Sequence, residues 1–122
     1  MRIVINSKGD AYMNDCIFCK IVAGEMDTKF IYEDELVVVF PDIRPKADTH
    51  LLVTSKKHIP SLNALTDSDI KLMGHMVRLL PEVAKQLDIR SFRTIVNTGR
   101  ESGQEVDHLH FHLLSGNLRP FG

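Results

Sequence analysis

Polar and apolar residues alternate without a break across residues 108–113, where His108, His110 and His112 are separated by Leu109 and Phe111 and followed by Leu113. A period of two predicts a β-strand with one face packed in a core. Side chains two apart then share a face at a spacing of roughly 6.5–7 Å, so three imidazoles stand in a row. Residues 29–32, 36–40, 50–54 and 92–97 predict four further strands, the first two joined by the acidic turn Glu33-Asp34-Glu35. Residues 16–23 read as a short helix stopped at Gly24. The one long helix opens at Thr66-Asp67-Ser68-Asp69, with Thr66 as N-cap and acids in the first turn. Its apolar residues form two stripes: Ile70, Met73, Val77, Leu80 and Ala84, and Leu72, Met76, Leu79 and Val83. One stripe covers a sheet. The other asks for a further partner, such as a second subunit. Pro81 predicts a kink or a restart. Strands joined by short turns predict an α+β fold, an antiparallel sheet of about five strands with one long and one short helix on one side.

Composition narrows the class. The 122 residues, 43% hydrophobic and 25% charged, suit one soluble domain. We expect an N-terminal extension over 1–13, poorly ordered unless it adds a strand, and a single domain over 14–122. Fifteen basic and sixteen acidic residues give a net charge of −1 with no basic cluster, which argues against a nucleic-acid partner. The longest apolar run, residues 36–40, is far too short to span a membrane. The N-terminus resembles neither a signal nor a transit peptide, so the expected location is cytoplasmic.

Three histidines in register contribute little to a hydrophobic core. They suit metal binding, proton transfer or nucleophilic attack. Just upstream, residues 98–103 form a turn with glycine at both Gly99 and Gly103. Gly103 lets backbone amides approach a ligand closely, and successive amides can form an anion nest. Asn97, Gln104 and the Val106 amide could then cradle a phosphoryl oxygen facing an imidazole. The only two cysteines, Cys16 and Cys19, form a C-x-x-C pair. Such a pair reads as a redox dithiol or half of a zinc site. No convincing strand precedes it, which favours zinc if two further ligands exist.

The segment from Asn97 through Gly103, Gln104, Glu105, Val106 and the H-x-H-x-H run to Leu114 resembles the motif of the histidine triad (HIT) family, most closely its Hint branch of nucleotide-binding proteins. The likeness extends from Cys16 to about Gly116 and takes in Ile17-Phe18, Asp42-Ile43-Arg44-Pro45, Thr49-His50 and Lys56-Lys57-His58. The resemblance implies a HIT-like fold whose sheet continues across a homodimer. It implies hydrolysis of purine nucleoside 5′-phosphoramidates, or of aminoacyl-adenylates, through a nucleotidyl-histidine. By matched position His110 is the nucleophile, and His112 and His50 stabilise the phosphoryl oxygens and assist the leaving group. Asp42 binds the ribose hydroxyls, and Ile17, Phe18, Ile21, Phe40 and Ile43 line the base pocket. Gly103, Gln104, Glu105 and Val106 lie at the phosphate, with Glu105 pointing outward and contributing through its backbone. His58 and His108 join Cys16 and Cys19 as ligands of a structural zinc, while the chemistry itself needs no metal. His75 receives no role. The tail 114–122 lacks the family's usual Gly-Gly pair, which leaves leaving-group preference open.

Rival readings are a dinucleoside polyphosphate hydrolase, a nucleotidyltransferase, and a nucleotide- or zinc-binding regulatory module with little turnover. The chain is short for the transferase, and His112 stands where transferases carry Gln. A histidine nucleophile predicts loss of activity below roughly pH 6.

Overall fold

The computed structural model describes residues 3–5, 11–13 and 15–120. Of the expected extension, β1 (Ile3–Ile5) and β2 (Ala11–Met13) pair antiparallel with each other, Ile3 opposite Met13. The remainder of residues 1–10, and 121–122, lies outside the described residues.

The main sheet has five strands, all antiparallel: β3 (Tyr32–Glu33), β4 (Val37–Pro41), β5 (Thr49–Ser55), β6 (Arg93–Ile95) and β7 (His110–Ser115), in the order β3-β4-β5-β7-β6. Two helices accompany it, α1 (Ile17–Val22) and α2 (Ile70–Gln86). This is the α+β architecture expected from the strand pattern. The helices, however, lie on opposite faces rather than on one side. Val37, Val39, Leu51 and Val53 pack with Leu109, Phe111 and Leu113 against Met76, Leu80 and Val83 of α2. Val38, Phe40 and Leu52 pack against Phe18, Cys19 and Ile21 of α1. The cause lies in β4. Residues 37–40 are apolar at both parities and all buried, so each sheet face needs a cover.

The histidine strand starts later than the alternation predicts. His108 and Leu109 precede β7 because their backbone bonds run elsewhere. His108 N–H donates to Val106 C=O at 2.9 Å and Leu109 N–H to Ile59 C=O at 2.7 Å. Helix α2 runs unbroken through Pro81. Pro81 lies on the exposed face, and the carbonyl it deprives of a donor belongs to Val77, itself 55% exposed. Water can satisfy that carbonyl, which is why no break is needed.

The stripe of α2 that begins at Ile70 divides. Leu80 and Ala84 join the core, whereas Ile70 is 66% exposed and Met73 is half-buried. His75 ties α2 to the turn after β3, its Nε2 lying 2.6 Å from Asp34 Oδ2. That carboxylate also accepts from Tyr32 Oη and from the Leu36 and Val37 amides. Burial would raise the Asp34 pKa, but these bonds together hold it down, at about 2.

Candidate active site

A cavity of about 460 Å³ opens on the α1 face of the sheet. Its apolar end is built by Ile17, Phe18 and Ile21 from α1 with Phe40 from β4. Phe18 meets Phe40 edge-on at 5.5 Å between ring centroids. It meets His110 in the same way at 4.9 Å, so one aromatic ring links the apolar end to the histidines. His50, His110 and His112 line the same cavity, together with Asn97, Gly103, Glu105, Val106, Asp42 and Ile43. Residues more than 90 positions apart in sequence thus converge on one space.

Backbone hydrogen bonds fix which nitrogen of each imidazole carries the proton. His110 Nδ1 lies 2.6 Å from the His108 carbonyl, which can only accept. Nδ1 is therefore N–H, and Nε2 presents a lone pair. His50 Nδ1 accepts from the Lys46 amide at 3.1 Å. Its proton is then on Nε2, which donates to His112 Nδ1 at 2.8 Å. That in turn leaves His112 with its proton on Nε2. The site holds one lone-pair nitrogen and one N–H donor on adjacent rings whose centroids are 5.0 Å apart.

All three rings are held neutral. Burial pushes the His110 pKa below the usual histidine value, against the opposing pull of the His108 carbonyl and the Asp42 charge. His112 is lowered to about 4, first by burial and then by its closeness to His110 and His50, beside which a further positive charge is disfavoured, and to Lys46, with Asp42 opposing. His50 is lowered by burial, with Asp42 opposing. Asp42 Oδ1 accepts from the Arg44 amide at 2.8 Å, and Oδ2 lies 3.5 Å from His50 Nε2. One oxygen stabilises the loop as a turn-forming aspartate would. The other remains at the cavity.

The loop 97–106 is shaped by Gly99 and Gly103, at φ of +90° and +99°. A Cβ on Gly103 would stand 3.9 Å from the Asn97 amide group, so the glycine is there for its backbone conformation rather than for lack of space. Gln104 differs from its expected placement. Its side chain is buried, 4% exposed, and does not line the cavity. Its Oε1 accepts from the Gly99 amide, and its Nε2 donates to the Pro60 and Val106 carbonyls. It holds the loop in shape. The Glu105 side chain is exposed at the cavity wall, and its carbonyl accepts from Arg100. Thr28, Arg44, Lys46, Leu52, Ile95 and Leu114 also line the cavity, and no local pattern in the sequence marks them.

Cys16, Cys19, His58 and His108 form a second cluster, their ligand atoms all within 4.8 Å of one another. His108 Nδ1 is 3.3 Å from Cys16 Sγ, 3.4 Å from Cys19 Sγ and 3.2 Å from His58 Nδ1. Its Nε2–H donates to the Ser55 carbonyl at 2.6 Å, so the Nδ1 lone pair points into the cluster, as in a metal-bound histidine. The Cys19 amide donates to Cys16 Sγ at 3.2 Å, which orients that sulfur within the cluster. His58 Nε2 is buried with no hydrogen-bond partner among the described residues. The four groups could hold a metal ion, and they bind α1 to the start of β7.

With this fold and this row of histidines, the class is defined, and comparison with known proteins agrees. Residues 15–120 match the family described as "Scavenger mRNA decapping enzyme C-term binding". The chain belongs to the histidine triad (HIT) family. It is 44% identical over 108 residues to an uncharacterized HIT-like protein of Synechocystis, covering 88% of this chain and 93% of that one. It is 39% identical over 110 residues to the purine nucleoside phosphoramidase of Escherichia coli, covering 88% and 91%. A histidine triad protein from Clostridium difficile superposes with a TM-score of 0.85 at 40% identity, covering 90% of this chain and 97% of that one. No described helix is long and apolar enough to cross a membrane.

Proposed function

We propose that the protein hydrolyses purine nucleoside 5′-phosphoramidates through a covalent intermediate on His110. The observation that carries this reading is the tautomer of His110. With Nδ1–H held by the His108 carbonyl, Nε2 is a neutral nucleophile in a cavity sized for a nucleotide. Nε2 attacks the α-phosphorus, and the bond from phosphorus to the leaving nitrogen breaks. The departing amine takes a proton through His112 Nε2–H. Water then cleaves the phosphorus–His110 bond and returns that proton. Asn97 and the backbone of Gly103, Glu105 and Val106 supply donors to the phosphoryl oxygens. Asp42 accepts from the ribose hydroxyls, and Phe18, Ile17, Ile21, Phe40 and Ile43 enclose the base.

The Cys/His cluster fits zinc. Bonds of about 2.3 Å to sulfur and 2.0–2.1 Å to nitrogen place tetrahedral ligands roughly 3.3–3.8 Å apart. The nitrogen–sulfur and nitrogen–nitrogen separations of 3.1–3.4 Å approach that range. Four protein ligands close the coordination sphere, so the ion would hold structure and leave His110 and His112 to the chemistry.

The test is release of AMP from adenosine 5′-phosphoramidate without added metal. Its pH dependence follows from burial. Protonation is what removes the nucleophile, and each ring's pKa is depressed below about 6.5. The expected profile of kcat/KM has its acid limb displaced below the roughly 6.5 of an ordinary histidine. An acid limb centred above 6.5 would contradict a buried neutral triad.

The family reading also carries a homodimer. We infer that Ile70, Met73 and Val77 on α2 and the edge strand β6 form its contact. Sedimentation equilibrium should then give twice the chain mass, and a monomer at micromolar concentration would refute this.

A further inference from the structure

Two cations occupy the rim of the cavity beside the histidines. Arg44 and Lys46 follow Asp42 in the loop between β4 and β5, and both line the cavity. Both are exposed, and neither is in an ion pair among the described residues. Lys46 is the better placed of the two. Its amide is hydrogen-bonded to His50 Nδ1, and His50 Nε2 is bonded to His112 Nδ1. The Lys46 backbone is therefore two hydrogen bonds from the ring that faces the departing atom. Its ammonium is close enough to add to the depression of both rings, after burial. Glu105, an exposed carboxylate, also lines the cavity.

In-line attack by His110 Nε2 places the leaving atom on the far side of phosphorus, where His112 Nε2–H is the available donor. A substituent on that atom extends toward the rim. Positive charge at Lys46 and negative charge at Glu105 polarise this exit. A neutral leaving group gains nothing from that polarity, whereas an anionic one is drawn to Lys46 and away from Glu105. We propose that Lys46 is a specificity-determining residue that selects substrates whose leaving group carries a negative charge, a carboxylate or a phosphate. The proposal rests on the phosphoramidase reading of the site and names the substrate class it prefers.

The test compares adenosine 5′-phosphoramidates of glycine and of glycinamide, leaving groups of nearly one shape that differ by one charge. The wild type should favour the glycine compound in kcat/KM. Lys46→Ala should lower the glycine-to-glycinamide ratio by about tenfold, and Lys46→Glu should invert the preference. Both substitutions keep the backbone N–H that holds His50, so the ratio separates charge from structure. The wild-type preference should also shrink as salt screens the ammonium. Diadenosine tetraphosphate, run alongside, tells which anion is the better match. A larger Lys46 dependence there assigns the selected group as a phosphate, and a smaller one as a carboxylate. Equal losses on the glycine and glycinamide compounds, or no preference in the wild type, would overturn the role of Lys46 while leaving the phosphoramidase reading intact. Turnover of neither compound by the wild type would instead overturn that reading and this proposal with it.

Discussion

His110→Ala lowers kcat for adenosine 5′-phosphoramidate by on the order of 10³-fold or more, and AMP still binds. The argument is one of position. His110 supplies the only imidazole nitrogen of the catalytic row whose lone pair is left free by the hydrogen bonds around it. His50 Nδ1 is occupied by the Lys46 amide and His112 Nδ1 by His50. No neighbouring ring can replace it without a change of tautomer in the whole row. In the proposed function, binding depends mainly on groups the substitution leaves in place, namely Asp42 and the apolar residues Ile17, Ile21 and Phe40 that line the same cavity. Stopped-flow or single-turnover kinetics give the chemical step, and calorimetry gives the AMP affinity. His110→Asn serves as a second variant of closer volume, because His110 packs against Phe18. Residual activity within tenfold of wild type in both variants would remove His110 from the mechanism.

The row of histidines was legible in the sequence because it is local. A period of two places His108, His110 and His112 on one face whatever the rest of the chain does. The apolar run 36–40 also carried more information than its length, since apolar residues at both parities require cover on both sheet faces. The placement of α1 and α2 on opposite faces follows from it. The hydrogen bonds from the Lys46 amide and to the Ser55 carbonyl, which set the tautomers of His50 and His108, were not legible, because a backbone group leaves no trace in residue type. The role of Gln104 was misjudged for a related reason. An amide side chain beside a glycine turn suits a phosphate oxygen and suits three backbone groups of its own loop equally well. Only the fold decides between them, here in favour of Gly99, Pro60 and Val106. Pro81 shows the limit of a local breaker rule, because exposure of the deprived carbonyl removes most of the cost.

Cys16→Ser, or removal of metal by a strong chelator, lowers the stability of the purified protein by about 3 kcal/mol or more, seen as a fall in Tm of roughly 10 °C. The cluster joins three separate parts of the chain: the start of α1, the loop after β5 at His58, and His108 just before β7. Few other bonds anchor His108 Nδ1, which faces two sulfurs and a second imidazole nitrogen within 3.4 Å. Without an ion, two lone-pair nitrogens can find themselves opposed at 3.2 Å, and His58 Nε2 gains nothing in exchange. With an ion, the same close approach becomes coordination. The loss of metal acts on folding rather than on the reacting atoms, since His110 and His112 make no part of the cluster. The chelated protein should therefore turn over phosphoramidate at a rate within a few-fold of the loaded protein when assayed well below its lowered Tm. Metal analysis should find one zinc per chain, lost in Cys16→Ser. A purified chain with two free thiols, no bound metal and a Tm indifferent to chelator would mean that the four residues pack as a reduced dithiol beside two histidines, and the zinc reading would fall.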